Sequence, residues 1–211
     1  MNNPHKGKFI TLEGGEGTGK STQVERMVEN LKARGIPVIA SREPGGSPGA
    51  ELIRDLLVKG DVARWDAVTE TLLMNAARRD HLKTLIIPAL QAGTWVVCDR
   101  FADSTVAYQG YGNGVPIQYL NTIFDMVGGG LQPDLTFVFD LDPRIGIERA
   151  HSRGGKEDRY ERMPLEFHDR VREGFRRVAQ TDLQRYILID AALDRDTITQ
   201  QIDQYIRQRL A

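Results

Sequence analysis

Cysteine occurs once in the 211 residues, as Cys98 within the apolar run Trp95-Val96-Val97-Cys98. No disulfide can form within the chain, the thiol reads as a buried structural one, and a reducing cytoplasm is the compartment that fits. No apolar run approaches membrane-spanning length, and the opening Met1-Asn2-Asn3-Pro4-His5-Lys6 lacks the apolar core of a signal peptide. Charge excess is also missing. With 28 Lys and Arg against 29 Asp and Glu, the net charge of −1 argues against a chain that binds nucleic acid or a membrane surface through overall basicity. The four histidines, at 5, 81, 151 and 168, have no metal-ligand spacing. There is no internal repeat and no low-complexity linker. What remains is an ordinary globular composition, 40% hydrophobic, which at this length suits a single domain over residues 1–211.

The most informative stretch is Phe9 to Gln23, an apolar run, a glycine-rich turn and the start of a helical pattern. Glycines at 14, 15, 17 and 19 leave no Cβ in the way, so successive N–H groups can turn inward around phosphate oxygens at the positive end of a helix. Gly14, Gly15, Glu16, Gly17, Thr18, Gly19, Lys20 and Ser21 complete the G-x-x-x-x-G-K-[ST] spacing, and Thr22 follows. In such a loop Lys20 reaches the β- and γ-phosphates of a nucleotide such as ATP, and Ser21 supplies a hydroxyl to Mg²⁺. Apolar residues at 24, 27, 28 and 31 then continue a helix that stops at Gly35.

Further along, short apolar runs at Ile36–Ala40, Thr94–Cys98, Asp134–Asp140 and Tyr186–Asp190 alternate with helical patterns. Those patterns cover residues 50–58, a long helix from an Asp66 N-cap toward Gly93 interrupted at Pro88, a helix opened by Asp142-Pro143, one over about Pro164–Thr181, and a closing one with Ile198, Ile202, Tyr205 and Ile206. Ala102–Gly114 reads as mixed loop and helix, and no element is assigned between Val115 and Pro133. The alternation implies an α/β fold, a parallel sheet of about five strands covered by helices on both faces, with ligands at the carboxyl ends of the strands. Glu43, Asp99, Asp140 and Asp190 follow strands there. The charged segment from about 150 to 163, with Arg153, Lys156, Arg159 and Arg162 among acidic residues, reads as a mobile lid.

A carboxylate at the end of a strand facing a P-loop, here Asp99, is placed to hold metal or orient the attacking group. Arg100 beside it offers a forked donor for a second phosphate, to which Arg54 and Arg42 could add; each of the latter two also reads as an ordinary surface residue. A P-loop for one nucleotide, further arginines, a strand-end carboxylate and a lid together mean phosphoryl transfer to a second phosphate-bearing substrate. The residues by themselves do not name that substrate.

The dodecamer Asp99-Arg100-Phe101-Ala102-Asp103-Ser104-Thr105-Val106-Ala107-Tyr108-Gln109-Gly110 resembles the D-R-[FYH]-x-x-S-x-x-A-Y-Q-G signature of thymidylate kinases. Arg42-Glu43-Pro44-Gly45-Gly46, Leu72–Arg78, Phe139-Asp140-Leu141-Asp142-Pro143 and Glu166–Arg172 resemble that family in the same order and spacing. The resemblance implies a P-loop fold of the nucleoside-monophosphate-kinase type, transfer of the γ-phosphoryl of ATP to dTMP, Mg²⁺ held near Ser21 and Asp99, and a homodimer without nucleic-acid or membrane partners. It further implies that Arg54 and Arg100 hold the dTMP phosphate, that Arg78 donates to a thymine carbonyl, and that Ser104 and Gln109, with Thr105 beside them, read the rest of the base. Tyr108 would crowd the sugar 2′ position and Glu16 would approach the 3′-hydroxyl. Ala191 and Ala192 resemble the loop near adenine. In the eukaryotic-like form an arginine follows the acidic P-loop residue, whereas Gly17 follows Glu16 here, so the resemblance is to the bacterial form, with Arg153, and Arg149 and Arg159 nearby, stabilising the transferring group. Met74 stands where many members carry a phenylalanine that stacks on thymine; as a helical methionine it also reads as core. Another nucleoside or nucleotide kinase is the rival within the class. A GTP-binding switch protein is the rival outside it, but the guanine-reading Asn-Lys-x-Asp is absent.

Overall fold

The computed structural model describes residues 6–153 and 158–210. Five parallel strands, β1 (Phe9–Gly14), β2 (Val38–Arg42), β3 (Trp95–Asp99), β4 (Leu135–Asp140) and β5 (Tyr186–Asp190), form one sheet in the order β2-β3-β1-β4-β5. The central strand β1 pairs with β3 on one side and β4 on the other, through Leu12 opposite both Asp99 and Phe137. Chain direction therefore splits at the carboxyl end of β1, the crevice where parallel sheets of this kind place ligands.

Because side chains alternate along a strand, the two faces of β1 bury different neighbours. Ile10 and Leu12 pack with Val24 and Leu31 of α1 (Lys20–Ala33) and with Ile198, Ile202 and Ile206 of α9 (Arg195–Leu210). Phe9 joins Leu82, Ile86, Leu90, Val96 and Phe101 on the opposite face. Beyond Phe101, Tyr108 packs with Phe167, Val171 and Phe175 of α8 (Leu165–Ala179).

The long helix expected from Asp66 is interrupted as its sequence requires. α3 (Ala67–His81) is capped by the Asp66 carboxylate, which accepts from Val68 N and Thr69 N; a π-helical turn, Leu82–Ile86, leads into α4 (Ile87–Gln91). Pro88 is the second residue of α4, directly after the π-helical turn. α2 spans Pro48–Val58, a short α5 (Ala102–Thr105) runs into a second π-helical turn over Val106–Gly112, and α7 covers Pro143–Arg153. α6 (Ile117–Gly128) occupies the stretch to which the sequence reading assigns nothing; it is amphipathic and ends at Gly129 with φ 59°. The segment expected to be a charged lid is only partly open. Arg159 is 3% exposed, and residues 154–157 lie outside the described residues.

Candidate active site

The turn from β1 into α1 bends through Gly14, Gly17 and Gly19, with φ of 139°, 64° and 89°. At Gly17 a side chain would strike the Gly146 carbonyl oxygen of α7, and at Gly146 one would strike the carbonyl of Glu16. The loop and α7 thus meet backbone to backbone. Within the loop, Lys20 Nζ donates to Gly15 O at 2.7 Å and to Thr18 Oγ1 at 3.1 Å. Burial, with Arg100 nearby, lowers the Lys20 pKa to about 8, despite Asp99, Glu16 and Glu13 opposing the shift. Ser21 Oγ donates to Asp99 Oδ2 at 2.6 Å, which joins the first turn of α1 to the end of β3.

Arg100 directly follows that strand end with φ 69°, an uncommon backbone for a side-chain-bearing residue. Three bonds hold the turn: Arg100 N to Leu12 O (2.9 Å), Phe101 N to Glu13 Oε1 (2.8 Å) and Ser104 Oγ to Glu13 Oε2 (2.5 Å). Its guanidinium reaches back to Gly14 O (2.7 Å) and Glu16 Oε1 (2.9 Å), and lies over the Tyr108 ring at 5.0 Å. The Tyr108 hydroxyl donates to the same Glu16 oxygen at 2.7 Å. Burial pushes Glu16 upward, but Arg100, Lys20 and the Tyr108 hydroxyl outweigh it and bring its pKa down to about 2.

Glu13 escapes motif reading although it organises this turn. It is fully buried on the Phe9 face of β1, and burial followed by the Asp103 charge raises its pKa from 4.5 to about 7, against Ser104, Arg100 and the Phe101 N–H. Its folded state binds a proton that the unfolded chain releases, so this group's contribution is fully present below pH 4.5 and is lost as pH rises through about 7. Urea titrations of the wild type should show that decline, on the order of 3 kcal/mol. Glu13→Gln is expected to flatten it; an unchanged slope in the variant would assign the decline to other groups.

The far wall of the cleft is built by α3. Arg78, 3% exposed, donates from Nε to Glu43 Oε2 (2.7 Å), from Nη1 to Asn75 Oδ1 (3.2 Å), and from Nη2 to Phe101 O (3.1 Å) and Thr105 Oγ1 (3.0 Å). These bonds occupy all but one of the donors a guanidinium has. Glu43 also meets His81 Nδ1 at 3.0 Å. Arg78, Met74, Gln109, Ser104, Thr105, Tyr108, Arg100, Arg54 and the P-loop line one cleft of about 320 Å³. Arg54 Nη1 donates to Pro44 O at 2.6 Å.

Ser104 Oγ donates to Glu13 Oε2 and accepts from Arg100 Nη1 at 3.3 Å. One expectation changes with this geometry. Arg159 is no free cation beside the phosphates: it pairs with Glu70 Oε2 at 2.5 Å and donates to Leu57 O, Asp61 O and Val62 O. Arg149 Nη1 donates to Ala191 O at 3.3 Å, which joins α7 to the loop after β5. Asp140 is engaged by Arg172 and Arg176 (2.7 Å each) rather than facing the cleft. Asp103 holds β5 in place through Arg185 (2.6 Å) and the Tyr186 hydroxyl (2.9 Å).

Residues 12–202 match the family model described as thymidylate kinase. The chain is 50% identical to the thymidylate kinase of Caulobacter vibrioides, over 97% of this chain and 98% of that one. It is 48% identical to that of Magnetococcus marinus, over 88% and 89%. The crystal structure of thymidylate kinase from Ehrlichia chaffeensis superposes with a TM-score of 0.78 at 33% identity, covering 95% of this chain and 98% of that one.

Proposed function

The chain belongs to the thymidylate kinase family, and from that premise we propose that it moves the γ-phosphoryl group of ATP onto the 5′-phosphate of dTMP. An acceptor phosphate oxygen bonds to the γ-phosphorus, the bond to the β–γ bridging oxygen breaks, and ADP and dTDP leave. The observation that carries this reading is the continuity of the cleft, with Lys20 and Ser21 at one end, Arg78 and Gln109 at the other, and Arg100 between them.

The acceptor is already anionic, so no general base is needed and catalysis rests on positioning and charge neutralisation. The P-loop N–H groups and Lys20 hold the donor phosphates; Arg149, Ala191 and Ala192 lie on the side of its base. Arg100 and Arg54 hold the acceptor phosphate. Glu16, ionised and already accepting from Tyr108 and Arg100, is placed for the sugar 3′-hydroxyl, while Tyr108 limits space at the 2′ position. Ser21 and Asp99 are hard oxygen ligands 2.6 Å apart, a donor set that fits Mg²⁺ completed by phosphates and waters. Bound there, Mg²⁺ would neutralise charge on the transferring phosphates. Arg153 supplies the remaining positive charge, and Met74 lies against the base.

A coupled ADP-release assay across dTMP, dUMP, UMP, CMP, AMP and thymidine tests this reading. ADP should appear fastest with dTMP. dUMP should be slower, since a missing methyl is worth roughly 1 kcal/mol, and ribonucleotides slower still because of Tyr108. Equal turnover of UMP and dTMP would sink it.

The enzyme works as a homodimer in this reading. Leu52 of α2, Val68 and Leu72 of α3 and Met126 of α6 are 75%, 60%, 54% and 77% exposed, and α3 adjoins both α2 and α6, so these helices are the face on which we place the second copy. Sedimentation should give a dimer for the wild type and a monomer for Leu72→Glu/Met126→Glu. A wild-type monomer at micromolar concentration would contradict the assignment.

A further inference from the structure

Gln109 is completely buried, lines the cleft and has a side-chain oxygen without a hydrogen-bond partner among the described residues. Its amide nitrogen does have one, donating to Glu70 Oε1 at 2.8 Å. Glu70, on α3 and 2% exposed, also accepts from Asn113 Nδ2 at 3.2 Å on the same oxygen, while its other oxygen pairs with Arg159. Three backbone carbonyls, those of Leu57, Asp61 and Val62, fix Arg159 in turn.

A carboxylate held by a guanidinium offers only acceptors, and an amide offers an acceptor on one side and donors on the other. Gln109 can therefore face Glu70 in only one sense, with its NH₂ group inward and its oxygen left for the cleft. We propose that Glu70, locked by Arg159, is the positioning residue that sets Gln109 as an acceptor and thereby selects pyrimidines carrying an N3–H. This rests on the functional reading above, in which Gln109 reads the base. Thymine and uracil present a donor at N3, which satisfies the Gln109 oxygen. Cytosine presents a bare lone pair there, which leaves two acceptors facing each other in a buried site. Discrimination of this kind is the strong kind, because the wrong base leaves polar groups unpaired.

Glu70→Gln keeps the shape but lets both amides turn over together. The ratio of kcat/KM for dTMP to that for dCMP should fall by about tenfold or more. The ratio for dTMP to dUMP should not change, because both bases carry N3–H, and a merely structural defect would not separate the two ratios in this way. A folded Glu70→Gln protein with an unchanged dTMP to dCMP ratio would overturn the proposal. Should the unpaired Arg159 prevent folding, Glu70→Gln/Arg159→Gln removes the buried charge and carries the same expectation.

If neither variant folds, the wild type itself decides. The Gln109 side-chain NH₂ resonances, assigned by their loss in Gln109→Leu, should be slow to exchange and should keep their positions when dTMP is added. Movement of those protons to a new position on the base would refute the assignment. A wild-type chain that fails to prefer dTMP over dCMP would remove the functional reading instead.

Discussion

Substituting alanine for Arg153 is expected to lower turnover by about 10³-fold while leaving the KM for dTMP nearly unchanged. The magnitude is that of arginines that neutralise charge appearing only in the phosphoryl-transfer transition state. The neighbouring arginines are otherwise engaged. Arg159 is committed to Glu70 and to three carbonyls, and Arg149 is turned to the Ala191 carbonyl. Arg153 ends α7, one helical turn beyond Arg149. Steady-state measurement of kcat and KM separately is the check. Loss confined to KM would make Arg153 a binding residue, and an unchanged kcat would transfer the role to Arg149.

The second large effect is on stability. Arg78→Ala is expected to cost about 3–5 kcal/mol, because it leaves Glu43, 5% exposed, with His81 as its only side-chain partner among the described residues. The Asn75 oxygen, the Phe101 carbonyl and the Thr105 hydroxyl lose a donor at the same time. Arg78→Lys should recover little, since an ammonium cannot serve four acceptors spread over a planar fork. Replacing both members of the pair, as Arg78→Met/Glu43→Met, should recover much of the loss, because no buried charge is then left unpaired. Urea midpoints at constant m-value decide it. A single Arg78→Ala variant within about 1 kcal/mol of wild type would mean that water replaces the guanidinium at little cost.

These two residues also show what a sequence can and cannot display. The P-loop was readable because its chemistry demands a fixed spacing at a strand-to-helix junction, and Asp99 because a strand-end carboxylate beside that loop has few other uses. Arg78 was readable only through resemblance, and the ion pair that makes it structural joins residues 35 positions apart. Glu13 and Glu70 were hidden for a related reason. Each sits inside a regular element, where a carboxylate is ordinarily solvated, and nothing in its immediate neighbours announces burial. Glu13 did leave one trace: in Phe9–Gly14 it falls on the same face as Phe9 and Thr11, so a buried strand had to find it partners. The charged stretch from 150 to 163 misled in the other direction. Averaged over its length it looks solvated, yet Arg159 is drawn inside by carbonyls contributed by residues 57–62. α6 went unassigned although Leu120, Ile123, Phe124 and Val127 follow helical spacing, since no motif called attention to it.

The contact between Gly17 and Gly146 limits how such an enzyme can evolve. Gly17 has a backbone that disfavours side chains, and any Cβ there meets the α7 carbonyl. The eukaryotic-like arrangement, with an arginine at this point of the P-loop, therefore does not lie one substitution away. A side chain at position 17 would need α7 to tilt off the loop, and tilting α7 would move the helix that carries Arg149 and Arg153. The hydrogen atoms that stand for side chains at Gly17 and Gly146 are thus what sets the distance between the P-loop and the helix that carries Arg149.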